Sequence, residues 1–198
     1  MIDAALGLRV HTGWAAAVVL VGSAATLRVV DRRRLNLVEK TDHDAVFVYH
    51  AAAELDAVAA EQHVAKARDV ANASALRDVG HLLSDLAALE YMVRAVGLPS
   101  GGNRLLPAFG DILRSHPLLH AAEGEMFRGA LAKACAEHGL PVIAVRAKEL
   151  HQQAARACGL RVDAMKRRVS ELGHAVGPPW AADQKEAALA ALIAGTKG

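Results

Sequence analysis

The sequence predicts an α/β domain on a mixed sheet, an antiparallel three-strand meander extended by parallel strands, with helices on both faces. Three observations predict it. Residues 5–38 read as extended segments punctuated by glycine. A long alanine-rich stretch with helical spacing follows. Beyond it, short apolar strands alternate with helices, the order that β-α-β crossovers produce.

The elements follow in order. Ala5–His11 is short and apolar, and Thr12-Gly13 turns the chain. Trp14–Val21 is rich in valine, and Gly22-Ser23 turns it again. Thr26–Val38 carries Leu27, Val29, Val30, Leu35, Leu37 and Val38. Such runs joined by tight glycine turns make a meander. Asp42–Asp44 is a polar break, and Val46–Tyr49 reads as a further short extended piece. Ala51–Leu89 is helical, with Leu76, Val79, Leu83 and Leu86 on one spacing and a division or kink at Asn72-Ala73-Ser74. Tyr91–Leu98 reads as a strand running into the loop Pro99-Ser100-Gly101-Gly102. A helix starts at Ser115-His116-Pro117, with Ser115 as N-cap and the proline in the first turn, and ends at Gly139. Pro141–Arg146 is a buried strand. Ala147–Cys158 and Val162–Leu172 are helices separated by Gly159, and Gly177-Pro178-Pro179 breaks the chain. The last helix runs from about Asp183 to Ala194 and stops at Gly195.

Composition narrows the class. The 198 residues suit one domain over 1–198, with extra C-terminal helices. Apolar residues make up 53% and aromatic ones only 4%, so alanine dominates the core and helices can lie close on a sheet. The net charge of +2 excludes a strong whole-molecule field, so nucleic-acid binding has to rest on a local patch. Arg32, Arg33 and Arg34, with Arg28 nearby, form one, read as a solvated strand end or turn. Cys135 and Cys158 lack metal-ligand spacing and fit a reducing compartment. The uncharged run Trp14–Leu27 is too short to span a bilayer. It loosely resembles a secretory leader, but Asp3 and a single Arg9 precede it, so it reads as a buried strand pair in a cytoplasmic protein.

Several residues carry candidate chemistry. His116, His120 and Glu123 fall at i, i+4 and i+7, one helical face that can hold a divalent metal through two imidazoles and a carboxylate. A helix start with carboxylates in its positive field explains the same residues without a metal. His50 and Glu54 stand one turn apart at a helix start, and Tyr49-His50-Ala51-Ala52-Ala53-Glu54 echoes Leu119-His120-Ala121-Ala122-Glu123-Gly124-Glu125. Asp183 and Glu186 have capping-box spacing, and Lys185 can neutralise an anion at that helix start. Trp14 and Trp180 suit core and sheet-edge packing, or an aromatic floor for a base. The sequence holds no P-loop, no GxGxxG after a strand and no GxSxG elbow.

Element order, Leu6-Gly7-Leu8-Arg9-Val10-His11-Thr12-Gly13-Trp14-Ala15 at the start and Trp180-Ala181-Ala182-Asp183-Gln184-Lys185-Glu186-Ala187-Ala188 at the end together resemble the ribonuclease H-like fold of Holliday-junction resolvases and related nucleases. The segments HTGWAA, YHAAAE, HPLLHAAEGE and GPPWAADQKEAALAAL are also similar to those of a bacterial protein family, for which the resemblance implies a fold and no activity. The nuclease resemblance implies two divalent metals held by carboxylates from the first strand, from the fourth strand or the helix after it, and from the last helix. Asp183 matches the last position, and Glu123 or Glu125 would supply the second. The first carries Arg9, with His11 two residues on. The implied catalytic set is therefore His11, Glu123 and Asp183, with His120 and Lys185 lining the cleft. Arg9, Thr12, Trp14, His50, Glu54, Glu125, Trp180 and Lys185 are the implied ligand contacts.

Three readings of function stand side by side. One is a nucleic-acid-binding or -processing protein on a degenerate ribonuclease H-like site. Another is a non-catalytic homo-oligomeric scaffold, suggested by the long alanine-rich region. The third is a small metal-dependent enzyme using the His and Glu cluster.

Overall fold

Strict alternation along the first strand decides the architecture. The computed structural model describes residues 1–23, 26–39, 41–101 and 105–197. Strands β1 (Ile2–His11), β2 (Trp14–Val21) and β3 (Arg28–Asn36) form the antiparallel meander, while β4 (Tyr91–Ser100) and β5 (Val142–Arg146) extend it in parallel on the other side of β1. The sheet order is β3-β2-β1-β4-β5. Leu6, Leu8 and Val10 of β1 enter one core with α3 (Ala57–Ala88) and α5 (His116–Glu137). Ala5 enters a second core with α6 (Leu150–Ala157), α7 (Val162–Val176) and α8 (Ala182–Gly195). Each face of the sheet is thus covered by its own helical layer.

Helix α8 lies almost on the backbone of the two central strands. A Cβ at Gly7 would overlap the carbonyl oxygen of Ala187 and stand 2.7 Å from the amide nitrogen of Ala191. A Cβ at Gly97 would likewise overlap the carbonyl oxygen of Ala190. Every residue from Ala187 to Ala194 is buried, so the alanines of this helix are a condition of its approach. Its polar first turn, residues 182–186, overhangs the end of β1, and that overhang builds one half of the site.

Several expectations needed adjustment. Val46–Tyr49 is not extended: short helices α1 (His43–Val46) and α2 (Val48–Ala53) occupy it, started by Asp42, whose Oδ1 accepts from the Ala45 amide at 3.0 Å. Helix α3 runs through Asn72-Ala73-Ser74 without division, because Ala71 and Ala75 are both fully buried there and hold the turn. The loop after β4 contains the short α4 (Phe109–Leu113). Ser115 precedes α5 at its N-cap but makes no side-chain capping bond. Arg32, Arg33 and Arg34 lie inside edge strand β3 rather than at a strand end or turn. Within the run Trp14–Leu27, Trp14–Val21 is β2, and no helix among the described residues is long and apolar enough to cross a membrane. Ala24, Ala25 and Gly102 lie outside the described residues.

Candidate functional site

Two side-chain clusters flank the β1–β2 turn. The first faces α8. Arg9 and His11 alternate onto the same face as Gly7, and each meets one carboxylate of the overhanging turn. Arg9 Nε donates to Glu186 Oε2 at 2.6 Å, and its Nη1 donates to the Val10 carbonyl at 2.9 Å. His11 Nε2 bonds Asp183 Oδ1 at 2.7 Å. Both pairs are about one-third exposed. Cross-strand register places Trp14 opposite His11, and the two rings stack at 4.4 Å with 9° between their planes. On the β3 side the Arg34 guanidinium sits 3.9 Å from the Trp14 ring centre. Arg34, Trp14, His11 and Asp183 form a continuous chain across three strands and a helix.

Asp183 therefore does not cap α8. The N-cap is Ala181, whose amide donates to Gln184 Oε1 at 3.0 Å, and this leaves the Asp183 carboxylate free to face β1. Glu186 is likewise engaged by Arg9 rather than by a helix amide. Lys185 is half-buried in the same turn.

The second cluster lies on the α3/α5 side. Glu123 of α5 is fully buried. Its Oε1 accepts from the Tyr49 amide at 3.1 Å, the His50 amide at 3.3 Å and His50 Nδ1 at 2.8 Å. Its Oε2 has no hydrogen-bond partner and lies 3.8 Å from His120 Nδ1. His116 and His120, one turn apart and exposed, place their Nε2 atoms 3.2 Å apart. One ring nitrogen from each of His50, His116 and His120 lies within 4.8 Å of the others, so this group could hold a metal ion. The metal set expected from spacing, His116, His120 and Glu123, thus gains His50, while Glu123 sits behind the imidazoles. The echoed YHAAAE and LHAAEGE segments supply His50 and His120, whose ring centres are 4.6 Å apart.

The clusters are neighbours, not one pocket. A cavity of about 260 Å³ involves Thr12, Gly13, Trp14, Arg34 and Phe47, and another of about 300 Å³ involves Asp44, Phe47, His50 and His120. They share His43 and Phe47. Other sequence candidates fall outside both. Glu54 is exposed and ends α2 rather than opening a helix, and His50 pairs with Glu123 instead. Glu125 pairs with Arg128 on the surface of α5. Trp180 packs against Gly173, and its Nε1 donates to the Val169 carbonyl at 2.8 Å, which ties α7 to the segment before α8. A larger cavity, about 580 Å³, lies at the opposite end of β1 and is lined mainly by apolar groups, away from either cluster. Arg34 and Phe47 were not singled out as site residues by sequence reasoning. Arg34 sat within a basic run, and Phe47 within a supposed strand.

The carboxylate-held pair of metals implied by the nuclease resemblance does not fit these residues. Arg9 occupies the first-strand position and ties up Glu186, Asp183 is tied to His11, and Gly97 on β4 has the α8 backbone where a side chain would go. Glu123 belongs to the opposite layer, beneath His50.

No protein-family profile and no curated protein matches the chain, so the resemblance to a bacterial family gains no support there. Solved structures do match. Thermus thermophilus RuvC in complex with a Holliday junction substrate is similar over 96% of this chain and 91% of that one, at 15% identity and a TM-score of 0.53. A second Thermus thermophilus RuvC structure is similar over 98% and 92%, at 15% identity and 0.51. With its meander, parallel extension and helical layers, the chain has the ribonuclease H-like α/β fold.

Proposed function

We propose that this protein binds nucleic acid at the β1–β2–β3 end of the sheet and does not cleave it with a carboxylate-held metal pair. The observation that carries this reading is the replacement of a carboxylate cluster by two ion-pair-type contacts, Arg9–Glu186 and His11–Asp183, on a ribonuclease H-like scaffold. Carboxylates that would repel a phosphate if bare are engaged here, Glu186 by the Arg9 guanidinium and Asp183 by the His11 ring. Arg34, exposed above Trp14, offers a planar cation suited to a phosphate or to the face of an unpaired base. The resolvase neighbour bound to a Holliday junction makes branched DNA the first ligand to test.

Fluorescence anisotropy with a four-way junction, a duplex and a single strand, each at low and moderate salt, tests the reading. Binding should weaken steeply with salt, and Arg34→Ala should weaken it on every substrate. Absence of binding to all three at low salt would eliminate the proposal. Cleavage in Mg²⁺ or Mn²⁺ that is abolished by Asp183→Asn would eliminate its non-cleaving half.

A further inference from the structure

The second cluster is not explained by nucleic-acid binding, and it does not depend on that reading. We propose that His50, His116 and His120 hold one zinc-class divalent ion, with Glu123 as the carboxylate that positions His50 and a fourth coordination position open to the cavity beside Phe47.

Distance is the first argument. Two nitrogens on one tetrahedral zinc, each about 2.0–2.1 Å from it, stand roughly 3.3–3.4 Å apart. The Nε2 atoms of His116 and His120 are 3.2 Å apart already. The third donor is within 4.8 Å, so closure on an ion needs small rotations of side chains, two of which are exposed. Orientation is the second. The three rings meet at 79°, 57° and 88° with centres 5.1, 4.6 and 4.7 Å apart, splayed around a shared point rather than stacked.

The third argument is the carboxylate. Histidine ligands commonly donate their other ring N–H to a carboxylate, which fixes the tautomer and turns the free lone pair to the metal. His50 Nδ1 does this to Glu123 Oε1, leaving Nε2 for an ion. Glu123 is fully buried, its Oε2 lacks a partner, and no Lys or Arg pairs with it among the described residues. A buried carboxylate of this kind is costly without nearby positive charge, and an ion on the imidazoles supplies that charge across the His50 ring. Donor type is the fourth. Imidazoles select zinc, copper, nickel or cobalt over magnesium or calcium. Three protein ligands leave one position for a water or a ligand oxygen, facing a cavity of about 300 Å³.

The test uses the full chain without a histidine tag, stripped by chelator. Zn²⁺ is titrated against a chromogenic chelator, and Co²⁺ absorption reports the geometry. One equivalent should bind with a Kd below about 1 μM, and Co²⁺ should give the intense visible bands of a tetrahedral site. Added azide should shift those bands, and an unchanged spectrum overturns the open position. Glu123→Gln should weaken Zn²⁺ about 10–100-fold, and His50→Ala should weaken it more. Glu125→Gln should leave it unchanged. His116→Ala and His120→Ala alter exposed positions and keep the fold, so their loss of binding is read without a folding ambiguity. No stoichiometric binding overturns the site. So does wild-type affinity in His50→Ala, which would mean that the exposed pair on α5 binds alone.

Discussion

Replacing Gly7 with alanine tests the contact on which the whole site depends. A Cβ there would overlap the Ala187 carbonyl oxygen and stand 2.7 Å from Ala191 N and 2.8 Å from Ala187 C. Ordinary contact lies near 3.5 Å, so relieving the Ala191 nitrogen alone needs about 0.8 Å of separation, and relieving the overlapped carbonyl oxygen needs more. No rotamer relieves this, because every obstacle is helix backbone. The strand cannot yield either, since β1 is bonded to β2 on one side and β4 on the other. Overpacking that side chains can absorb costs about 1–3 kcal/mol. A backbone obstacle puts this substitution at the upper end, about 3 kcal/mol, which in a chain of this size lowers Tm by about 6–12 °C. Displacement of α8 also draws Asp183 and Glu186 away from His11 and Arg9. Thermal unfolding followed by circular dichroism measures the loss. Gly129→Ala is the control of opposite sign. Its Cβ meets nothing within 4 Å inside α5, so it should stabilise by about 0.5–1 kcal/mol. A Tm for Gly7→Ala within about 2 °C of the parent would refute the close-approach argument.

The charges and the thiols carry three further predictions. Arg9→Asp puts a third carboxylate beside Asp183 and Glu186. It should lower Tm in chelator and recover part of the loss in millimolar Mn²⁺, read by thermal shift, whereas indifference to the ion would contradict the view that Arg9 stands where a metal would. Cys135 is fully buried, and burial pushes its thiol from an ordinary 9.0 up to about 12. The folded value is the higher one, so the stability linked to the neutral thiol is complete below about pH 9 and is lost as pH rises toward 12. Alkaline unfolding should therefore be shallower in Cys135→Ala, and a disulfide reagent at neutral pH should label Cys158 while sparing Cys135. Labelling of both at equal rates would contradict the burial.

The sequence showed the fold more clearly than the site. Glycine turns and the apolar runs of β1 and β2 are local signals, and they sufficed for the meander, whereas the expected break after Leu98 comes too early, since Pro99 and Ser100 still pair with β5. Val46–Tyr49 misled because its valines and aromatics carry strand propensity, while Asp42 and the burial of Val48 and Tyr49 make it helical. Asp183 misled because its spacing from Glu186 mimics a capping box, and only the N-cap at Ala181 leaves both acids to face β1. His116 and His120 were paired by helical spacing. His50 belongs to a different helix, so its spacing from Glu54 and the echoed segments pointed to the residue but not to its partners on α5. The burial of Glu123 follows from the packing of α2 on α5, which no local pattern encodes.

The basic residues of β3 have a consequence for self-association. Arg32 donates to the carbonyls of Gly177, Pro178 and Pro179, and Arg33 bridges Asp31 and Asp85. Three successive guanidinium groups, anchored to opposite faces of an edge strand, make that edge a poor template for another strand. Copies of this chain that assemble are therefore steered away from pairing through β3, and that edge of the sheet is guarded against growing into a fibre.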